Sequence, residues 1–443
     1  MRRTVLASAL VLAFIGARQR AVHPAPPVGG PTFSNEVVRI FQANCQTCHH
    51  PGDIGPFSLM TYADAFPRAN DIKYMTQTHQ MPPWKPVQSC GVFDSPRVLS
   101  QENIDTLAKW AENGAPEGNR ADLPTPLNFE GGWAIGQPDL VLSNTQAYTP
   151  PAVGDMYRCF SLPTNSTQDQ YVSAIDIRPG DRQTVHHVIA FIDTAGASDR
   201  LVGSDGAAGY PCFGGPGFQI TNLNASALGG WAPGYRPVML PPETAFLLPA
   251  NSRVVLQVHY HPHGPAPLAD QTQIGIYYAK RKPTKLMRVL PLINNTFTIP
   301  PGDANYRVTT DFTLPIFPAV NVHLWLIAPH MHLLGRKMHV DATTVTGQSQ
   351  CLINIDDWDF NWQGLYRFKD PLAVSAGSTL SLEAFYDNSP GNWRNPNDPP
   401  KPVSWGEATT DEMCIAFIGF TIDAENYSAG KVADTSWIPP MPQ

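Results

Sequence analysis

Two cysteines followed by a histidine lie near the start of the chain, in Cys45-Gln46-Thr47-Cys48-His49. This C-x-x-C-H spacing is the attachment pattern of c-type haem. Within one helical turn, two thiols can each bond a haem vinyl group, and the adjacent imidazole can reach the iron from the same side. We therefore predict one covalently bound c-type haem, held by Cys45, Cys48 and His49. A zinc site, a redox dithiol and a chance match remain the alternatives.

The haem iron needs a further axial ligand, and a methionine there would raise the redox potential. Met81 is the candidate, because Pro82 and Pro83 stiffen the loop that follows it. A buried methionine is more often core filler. The same part of the chain contains three rivals, namely Met60, Met75 and His79.

Four further segments carry potential metal ligands: Thr184–Val188, Leu256–His263, His330–His332 and Asp411–Cys414. His330 and His332 are two residues apart, so on a strand both side chains point to one face and can bind one ion. His186 and His187 are adjacent and would diverge on a flat strand, so they need a twist, a bulge or opposite ring nitrogens to share an ion. Each segment could be purely structural, but four of them in one chain favour metal binding.

The ligand types narrow the choice of metal. Imidazole suits copper, zinc, iron and nickel, whereas a thioether selects Cu(I). Met413 lies beside Cys414 in the last segment, and no cysteine lies in a histidine-rich cluster of the blue-copper kind. Histidines together with Met413 therefore favour copper.

The elements that would position these residues change along the chain. Residues 33–118 have helical periodicity, and the last helix has Ser100 as its N-cap. Charged residues make up only 15% of the chain and there are 45 prolines, which favours short strands and turns elsewhere. Beyond Pro124 the chain has alternating runs at 171–177, 185–192, 253–259, 274–278, 320–327, 380–385 and 415–422. These runs predict two β-sandwiches, with a break near residues 283–300.

Residues 1–21 have the features of a secretory signal peptide. Arg2 and Arg3 precede the apolar run Val5–Ala17, which is short for a membrane span. We predict a periplasmic or secreted protein with a linker over residues 22–32 and no membrane span in the mature chain; a retained N-terminal anchor is the alternative. The formal net charge of -7 argues against a nucleic-acid partner.

The order of the four ligand segments resembles the copper type II ascorbate-dependent monooxygenases, which include peptidylglycine α-hydroxylating monooxygenase and dopamine β-monooxygenase. The N-terminal segment resembles small class I cytochrome c domains, including their closing amphipathic helix with Trp110. These resemblances imply a multidomain fold class: a mainly α cytochrome c domain over residues 33–120, then two all-β jelly-roll-like sandwiches over residues 121–288 and 289–443. Each sandwich would hold one copper ion, and the two ions would face each other across an open cleft.

The family's motifs also imply roles by position. The two ligand sets are His186, His187 and His259 for an electron-storing copper, and His330, His332 and Met413 for the catalytic copper that binds oxygen and substrate. Four other histidines match no family ligand and would be surface or structural residues: His261, His263, His323 and His339.

Disulfides follow from the same resemblance. The family's disulfide beside its methionine ligand matches Cys414, with Cys351 as its partner. Cys159 and Cys212 would pair in the first sandwich, and Cys90 would remain unpaired. An exported chain can keep such disulfides.

The chain departs from the peptide-hydroxylating members at the substrate clamp. Those members bind a substrate carboxylate with an arginine two residues before the His-x-His motif and with polar residues after the Met-Cys pair. Here the corresponding places hold Ala328, Ile415 and Phe417. We therefore predict an apolar or neutral small-molecule substrate rather than a peptide ending in glycine.

These features predict an exported monooxygenase with two copper ions and one haem c that hydroxylates a C–H bond of a small organic substrate with O2. The family reaction takes two electrons from outside. The haem region would relay them to the copper sites from an external donor, a cytochrome or an ascorbate-like reductant. The alternatives are a haem and copper electron-transfer or copper-handling protein without oxygenase activity, and a β-sandwich binding module whose histidines only pack.

Overall fold

The computed structural model describes residues 29–439, except residues 54, 95, 130–131, 221–226, 233–234 and 262–267. The predicted signal peptide and most of the predicted linker lie outside the described residues. Among the helices described, none has the length and apolar character needed to cross a membrane.

The α-helices lie in the N-terminal part of the chain: α1 Val38–Asn44, α2 Tyr62–Ala65, α3 Ala69–Gln77 and α4 Gln101–Glu112. Helix α4 begins as predicted, because the Ser100 hydroxyl accepts a hydrogen bond from the Asn103 N–H at 3.2 Å. Its apolar face buries Trp110, whose ring centre lies 6.5 Å from that of Phe33 and 6.4 Å from that of Phe41. These aromatic contacts hold the short helices around one small core.

Ten strands of the described chain form a first group of two five-stranded sheets. They are β1 Leu140–Ser143, β2 Met156–Pro163, β3 Gln170–Arg178, β4 Val185–Asp193, β5 Tyr210–Pro211, β6 Ala227–Trp231, β7 Thr244–Leu248, β8 Arg253–Tyr260, β9 Gln273–Tyr278 and β10 Lys285–Leu286. The strand orders are β1-β9-β3-β7-β10 and β5-β2-β8-β4-β6, and β10 runs parallel to β7. Apolar residues of both sheets, such as Ile175 and Leu256, share one core.

Ten more described strands form a second group. They are β11 Arg288–Ile293, β12 Thr298–Ile299, β13 Tyr306–Thr313, β14 Val322–His330, β15 Gly335–Thr343, β16 Ser349–Ile355, β17 Tyr366–Val374, β18 Thr379–Tyr386, β19 Val403–Ser404 and β20 Ile415–Ile422. Two four-stranded sheets have the orders β11-β20-β14-β17 and β13-β18-β15-β16, and β12 pairs with β19. Leu324 and Ile418 of one sheet share a core with Val340 and Leu382 of the other.

An irregular, proline-rich segment, residues 80–94, connects the helices to the second group of sheets. Pro86 forms a β-bridge with Ile355 at the end of β16, and Phe93 forms one with Phe368 in β17. The N-terminal part of the chain therefore continues into the β structure.

The predicted fold class, a mainly α cytochrome c domain followed by two jelly-roll-like sandwiches, is wrong. The described chain is mostly β, its α-helices contain 4 to 12 residues, and no large all-α domain is found among the residues described. The helical periodicity is local, because the prolines between Met81 and Pro96 lack the N–H that a helix needs. The described strands also form five sheets, one with a parallel pair, instead of two simple sandwiches.

The disulfides agree with the prediction in one of two cases. Cys159 is bonded to Cys212 as predicted. The predicted pair of Cys351 with Cys414 is wrong, and so is the predicted unpaired Cys90, because Cys351 is bonded to Cys90. Cys351 lies on β16, the edge strand that meets the proline-rich segment, whereas Cys414 precedes β20 and is a buried free thiol.

Candidate active site

Three histidines from neighbouring strands converge at one point. His186 and His187 lie on β4, and His259 on β8 lies opposite His187. The ladder is irregular between Val185 and His187, and this irregularity lets both adjacent side chains reach one site. The Nδ1 atoms of His186 and His187 are 3.2 Å apart, and those of His187 and His259 are 3.4 Å apart.

The electrostatics of this first histidine set suit a cation. Burial lowers the pKa of all three imidazoles, and neighbouring histidines lower it further. The imidazoles are therefore neutral at pH 7, and one nitrogen of each lies within 4.8 Å of the others. Three neutral imidazoles can each direct a nitrogen lone pair at one cation. The donor set therefore fits a copper ion.

Asp155 orients the first histidine set. Its carboxylate lies 3.2 Å from His259 Nε2 and 2.5 Å from His261 Nδ1. Burial acts to raise the pKa of Asp155, but hydrogen bonds from His259 and His261 hold that pKa well below its usual range. A carboxylate beside Nε2 keeps the ring proton there, so Nδ1 of His259 remains available to a metal. Tyr157 stacks on the His259 ring with 4.2 Å between centres.

A second pair of histidines comes from the end of β14. His330 ends the strand and His332 follows it, with 5.1 Å between their ring centres. His330 Nδ1 lies 2.6 Å from Oε1 of Gln363, and His332 Nδ1 lies 3.1 Å from the carbonyl oxygen of Asp411. These acceptors place the ring protons on Nδ1 and leave Nε2 as the metal-binding atom. Burial lowers the pKa of His330 to about 4 and that of His332 to about 3.

Glu412 joins the two chain segments that supply the second ligand set. Its carboxylate accepts hydrogen bonds from the backbone N–H groups of His332, Leu334 and Met413 at 2.9, 2.6 and 3.1 Å. Burial raises the pKa of Glu412 to about 8, and these N–H groups act against that rise. Met413 is 6% exposed. The buried carboxyl group therefore holds the backbones of His332 and Met413 together.

One cavity of about 300 Å³ is bordered by both ligand sets. Its lining includes His187, His330, His332 and Met413. Ala328, Ile415 and Phe417, the residues at the places of the family's substrate clamp, also line it. The histidine and methionine donors therefore open onto an apolar space.

The aromatic side chain of Phe360 contacts one histidine of each ligand set. The Phe360 ring is stacked on His186 with 4.7 Å between centres, and its centre lies 5.8 Å from that of His332. One ring therefore lies beside both ligand sets, and the open cleft that the resemblance implies stays a prediction.

The C-x-x-C-H motif forms a turn after α1. Cys45 and Cys48 are free thiols, and His49 Nδ1 lies 3.0 Å from the carbonyl oxygen of Phe57. That acceptor places the ring proton on Nδ1 and leaves Nε2 as the atom that could bind iron. A Cβ at Gly55 would lie 2.6 Å from the carbonyl oxygen of Cys48, so this close approach requires glycine. Two unbonded thiols beside an oriented imidazole fit a covalent haem.

The candidates for the sixth iron ligand lie around α3. Met81 is half-buried in the loop after this helix, and its N–H donates to the carbonyl oxygen of Met75 at 3.1 Å. Met60 is also half-buried, and His79 is exposed. Met81 therefore stays a sequence-based prediction.

Of the histidines that match no family ligand, His261 lies beside the first set, with its ring centre 5.9 Å from that of His186, and two others pair with carboxylates. His323 Nδ1 lies 2.6 Å from Asp423, and His339 Nε2 lies 2.7 Å from Asp341. These carboxylate pairs suit the surface or structural role expected for both histidines. His263 lies outside the described residues.

Sequence analysis missed residues that contact the proposed ligands: Asp155, Phe360, Gln363 and Glu412. Three of them have no motif or periodic pattern around them that could have revealed their role. Glu412 alone carries a signal, since it is an acid between Asp411 and the apolar run that begins with Met413.

Parts of this chain are similar in sequence to known proteins. Residues 284–431 match the family described as copper type II ascorbate-dependent monooxygenase, C-terminal domain. The chain is 23% identical over 257 residues to DBH-like monooxygenase protein 1 of Homo sapiens, covering 55% of this chain and 40% of that protein. It is 26% identical over 256 residues to dopamine beta-hydroxylase of Bos taurus, again covering 55% of this chain and 40% of the relative.

The chain thus spans about 40% of the length of these relatives. Their likeness supports the class of copper monooxygenases, which are oxidoreductases, and this family implies bound copper.

Proposed function

We propose that this protein is a copper-dependent monooxygenase that hydroxylates a C–H bond of a small organic substrate. In this reaction R–H, O2, two electrons and two protons give R–OH and water. The observation that carries the proposal is that two sets of half-buried and buried donors border one largely apolar cavity. The family match over residues 284–431 supports copper as the metal.

The two ligand sets have different tasks in this proposal. His186, His187 and His259 hold the electron-storing copper, and His330, His332 and Met413 hold the copper at the substrate. When bound, copper supplies one-electron redox chemistry and, as Cu(I), reactivity toward O2. The thioether of Met413 favours Cu(I). Asp155 and Gln363 keep ring protons away from the metal-binding nitrogens, so the ligands are oriented before the metal arrives.

Replacement of Met413 by alanine tests the proposal. The wild-type protein is expected to contain two copper ions and one haem, and to incorporate one atom of labelled O2 into a product from a panel of neutral, cationic and anionic aromatic compounds. Met413→Ala should lose this activity, because the soft ligand that favours Cu(I) is gone. Met239→Ala is the matched control, since Met239 is 46% exposed.

Two outcomes would count against this assignment. Unchanged turnover in Met413→Ala would remove Met413 from the site. A wild-type protein that binds copper but forms no labelled product would favour electron transfer or copper handling without oxygenase activity.

A covalent haem on Cys45 and Cys48 is the second part of the proposal. The free thiols and the oriented His49 ring support it, and Met81 is the proposed sixth ligand. When attached, the haem supplies a one-electron carrier. Cys45→Ser/Cys48→Ser is expected to lose the covalent haem while keeping its copper, which mass spectrometry and metal analysis measure.

Electrons would pass from the haem-binding turn to the first histidine set. Arg236 donates a hydrogen bond to the Thr47 hydroxyl at 2.6 Å, and the preceding Tyr235 lines the cavity. This closeness supports a relay from an external donor, a cytochrome or an ascorbate-like reductant. A short tether raises the effective concentration of the donor to roughly the mM range.

Stopped-flow spectroscopy tests the relay. When the haem is reduced first and O2 and substrate are then added, haem oxidation should keep pace with product formation. The relay is excluded if the haem stays reduced while ascorbate supports product formation at the full rate.

We also propose an exported location, in the periplasm or after secretion. The two disulfides support it, because such bonds persist in oxidising compartments. The corresponding regions are a signal peptide over 1–21, a linker over 22–32, a haem-bearing region over 33–120 and two copper-bearing regions over 121–288 and 289–443.

A further inference from the structure

Resting on the proposed oxygenase function, we propose that the substrate is an uncharged hydrocarbon skeleton, aryl or alkyl. Its body fills the part of the cavity between the two groups of sheets. Its reacting carbon points to the second ligand set, His330, His332 and Met413.

The apolar part of the cavity is built by both groups of sheets. Trp231 and Phe246 come from the first group, and Val289 and Trp325 come from the second. Val289 and Trp325 also pack against the core of the first group, so this space lies where the groups meet. The indole N–H of Trp325 donates to the hydroxyl of Thr421 at 3.0 Å, so the Trp325 ring offers a ligand only its carbon surface.

The lining beside the second ligand set is also apolar. In the pairing of β14 with β20, Ala328 lies opposite Phe417 and His330 lies opposite Ile415. A substrate carbon placed near His330 would therefore meet methyl, alkyl and aromatic groups. A carboxylate placed there would lose its hydration without gaining a cationic partner.

Most polar side chains that line the cavity already have partners. The Gln257 amide donates to two backbone carbonyl groups at 3.0 Å. Gln363 bonds His330 and donates to a backbone carbonyl group at 2.9 Å. Arg367 forms an ion pair with Asp94, which neutralises its charge, but its buried Nε–H has no hydrogen-bond partner among the described residues. The two glutamines fix the walls, and because the Arg367 Nε–H could donate to an anion, the test must also include an anionic compound.

One carboxyl group remains among the lining residues that the structure describes, that of Glu407. Burial and the nearby Asp411 raise the pKa of Glu407 to about 7. Surroundings that disfavour the negative charge of Glu407 also disfavour an anionic ligand. Glu407 is nevertheless the group that could bind an amine, so the test must include a cationic compound.

Calorimetric binding to the copper-loaded full chain tests the substrate class, without O2 or reductant so that no turnover occurs. The probes are the alkylbenzenes from ethylbenzene to butylbenzene, with phenethylamine and 3-phenylpropanoate as charged counterparts. Each added methylene of the neutral series should tighten binding about fourfold until the cavity is full. The charged compounds should bind at least about tenfold more weakly, since each must give up hydration.

Two substitutions test whether the neutral probes bind in the cavity. Val289→Trp fills the space between the groups of sheets and should weaken butylbenzene binding at least about tenfold. Val345→Trp is the matched control, because Val345 is 70% exposed and its replacement should leave binding unchanged. Ala328→Arg should weaken butylbenzene binding and strengthen 3-phenylpropanoate binding, so the proposal stays testable even if Val289→Trp fails to fold.

The outcomes separate this inference from the proposed function. Tighter binding of phenethylamine that is lost in Glu407→Gln would overturn the uncharged class and leave the oxygenase proposal intact. Failure of every neutral probe to bind, or equal weakening by Val345→Trp, would also overturn it. Neutral probes that bind as expected but are never hydroxylated would support the pocket and overturn the oxygenase function.

Discussion

The residues beside the proposed metal ligands determine which ring nitrogen of each histidine can bind a metal. Asp155 places the proton of His259 on Nε2, whereas Gln363 places that of His330 on Nδ1. His259 would therefore present Nδ1 to a metal, whereas His330 would present Nε2. Glu412 links His332 to Met413 through their backbones, so the softest donor is positioned by an acid that touches no metal-binding atom.

Glu412→Gln is expected to loosen the second ligand set. Both oxygens of the carboxyl group accept backbone N–H groups, and the amide nitrogen of glutamine cannot accept one. Leaving buried N–H groups unpaired should lower the free energy of unfolding by about 1–3 kcal/mol and reduce copper to one ion per chain. Urea unfolding and metal analysis measure the two effects. Glu102→Gln, on the exposed first turn of α4, should change neither; equal effects in both variants would contradict the role of Glu412.

Local features of single strands determine which of these side chains come into contact. The irregularity in β4 lets adjacent histidines share one site, which a regular strand would not allow. The edge strand β16 accepts the proline-rich segment through the bridge at Pro86 and the disulfide from Cys90. An edge strand that would otherwise expose its backbone is thereby covered.

Removal of the Cys90–Cys351 bond should release the proline-rich segment. Cys90→Ser/Cys351→Ser is expected to lose about 2–5 kcal/mol of stability, because the bond constrains the unfolded chain over a long loop. Hydrogen exchange across residues 84–94 should become faster. The matched control is Cys159→Ser/Cys212→Ser, whose bond lies within the first group of sheets and whose loss should leave exchange in residues 84–94 unchanged.

The whole molecule brings its N-terminal part against both groups of sheets. Arg182, near β4, forms an ion pair with Asp53 beside the C-x-x-C-H turn. On the other side, Lys85 pairs with Asp357 of the second group at 3.0 Å. The turn that would carry the haem is therefore attached to the first group of sheets, whereas the proline-rich segment is attached to the second, and the proposed relay depends on the first attachment.

Arg182→Ala/Arg236→Ala should detach the turn from the first group of sheets. Hydrogen exchange in residues 45–53 is expected to become faster, because two side-chain contacts that hold the turn are lost. Copper content should not change, since neither arginine is a proposed ligand. Arg281→Ala, at an exposed arginine, is the control, and equal exchange in all three proteins would show that the turn is held by other contacts.

Local patterns in the sequence were sufficient to predict individual strands and one helix cap. The predicted run 185–192 forms β4 Val185–Asp193, the run 415–422 forms β20 Ile415–Ile422, and Ser100 caps α4. The spacing of His330 and His332 was enough to expect neighbouring rings, and the adjacency of His186 and His187 was enough to expect an irregular strand. Such features depend only on residues a few positions apart, because side-chain alternation and helix capping are local.

Contacts between distant residues were decided by the tertiary structure alone. The sequence contained seven cysteines and no local signal that Cys90 would meet Cys351, or that Asp155 would lie beside His259. The fold class was wrong for the same reason, since helical periodicity does not reveal that a proline-rich segment will join a sheet. The sequence alone therefore identified the histidine and methionine side chains that could bind a metal. The cavity that they share exists only because two groups of sheets pack against each other.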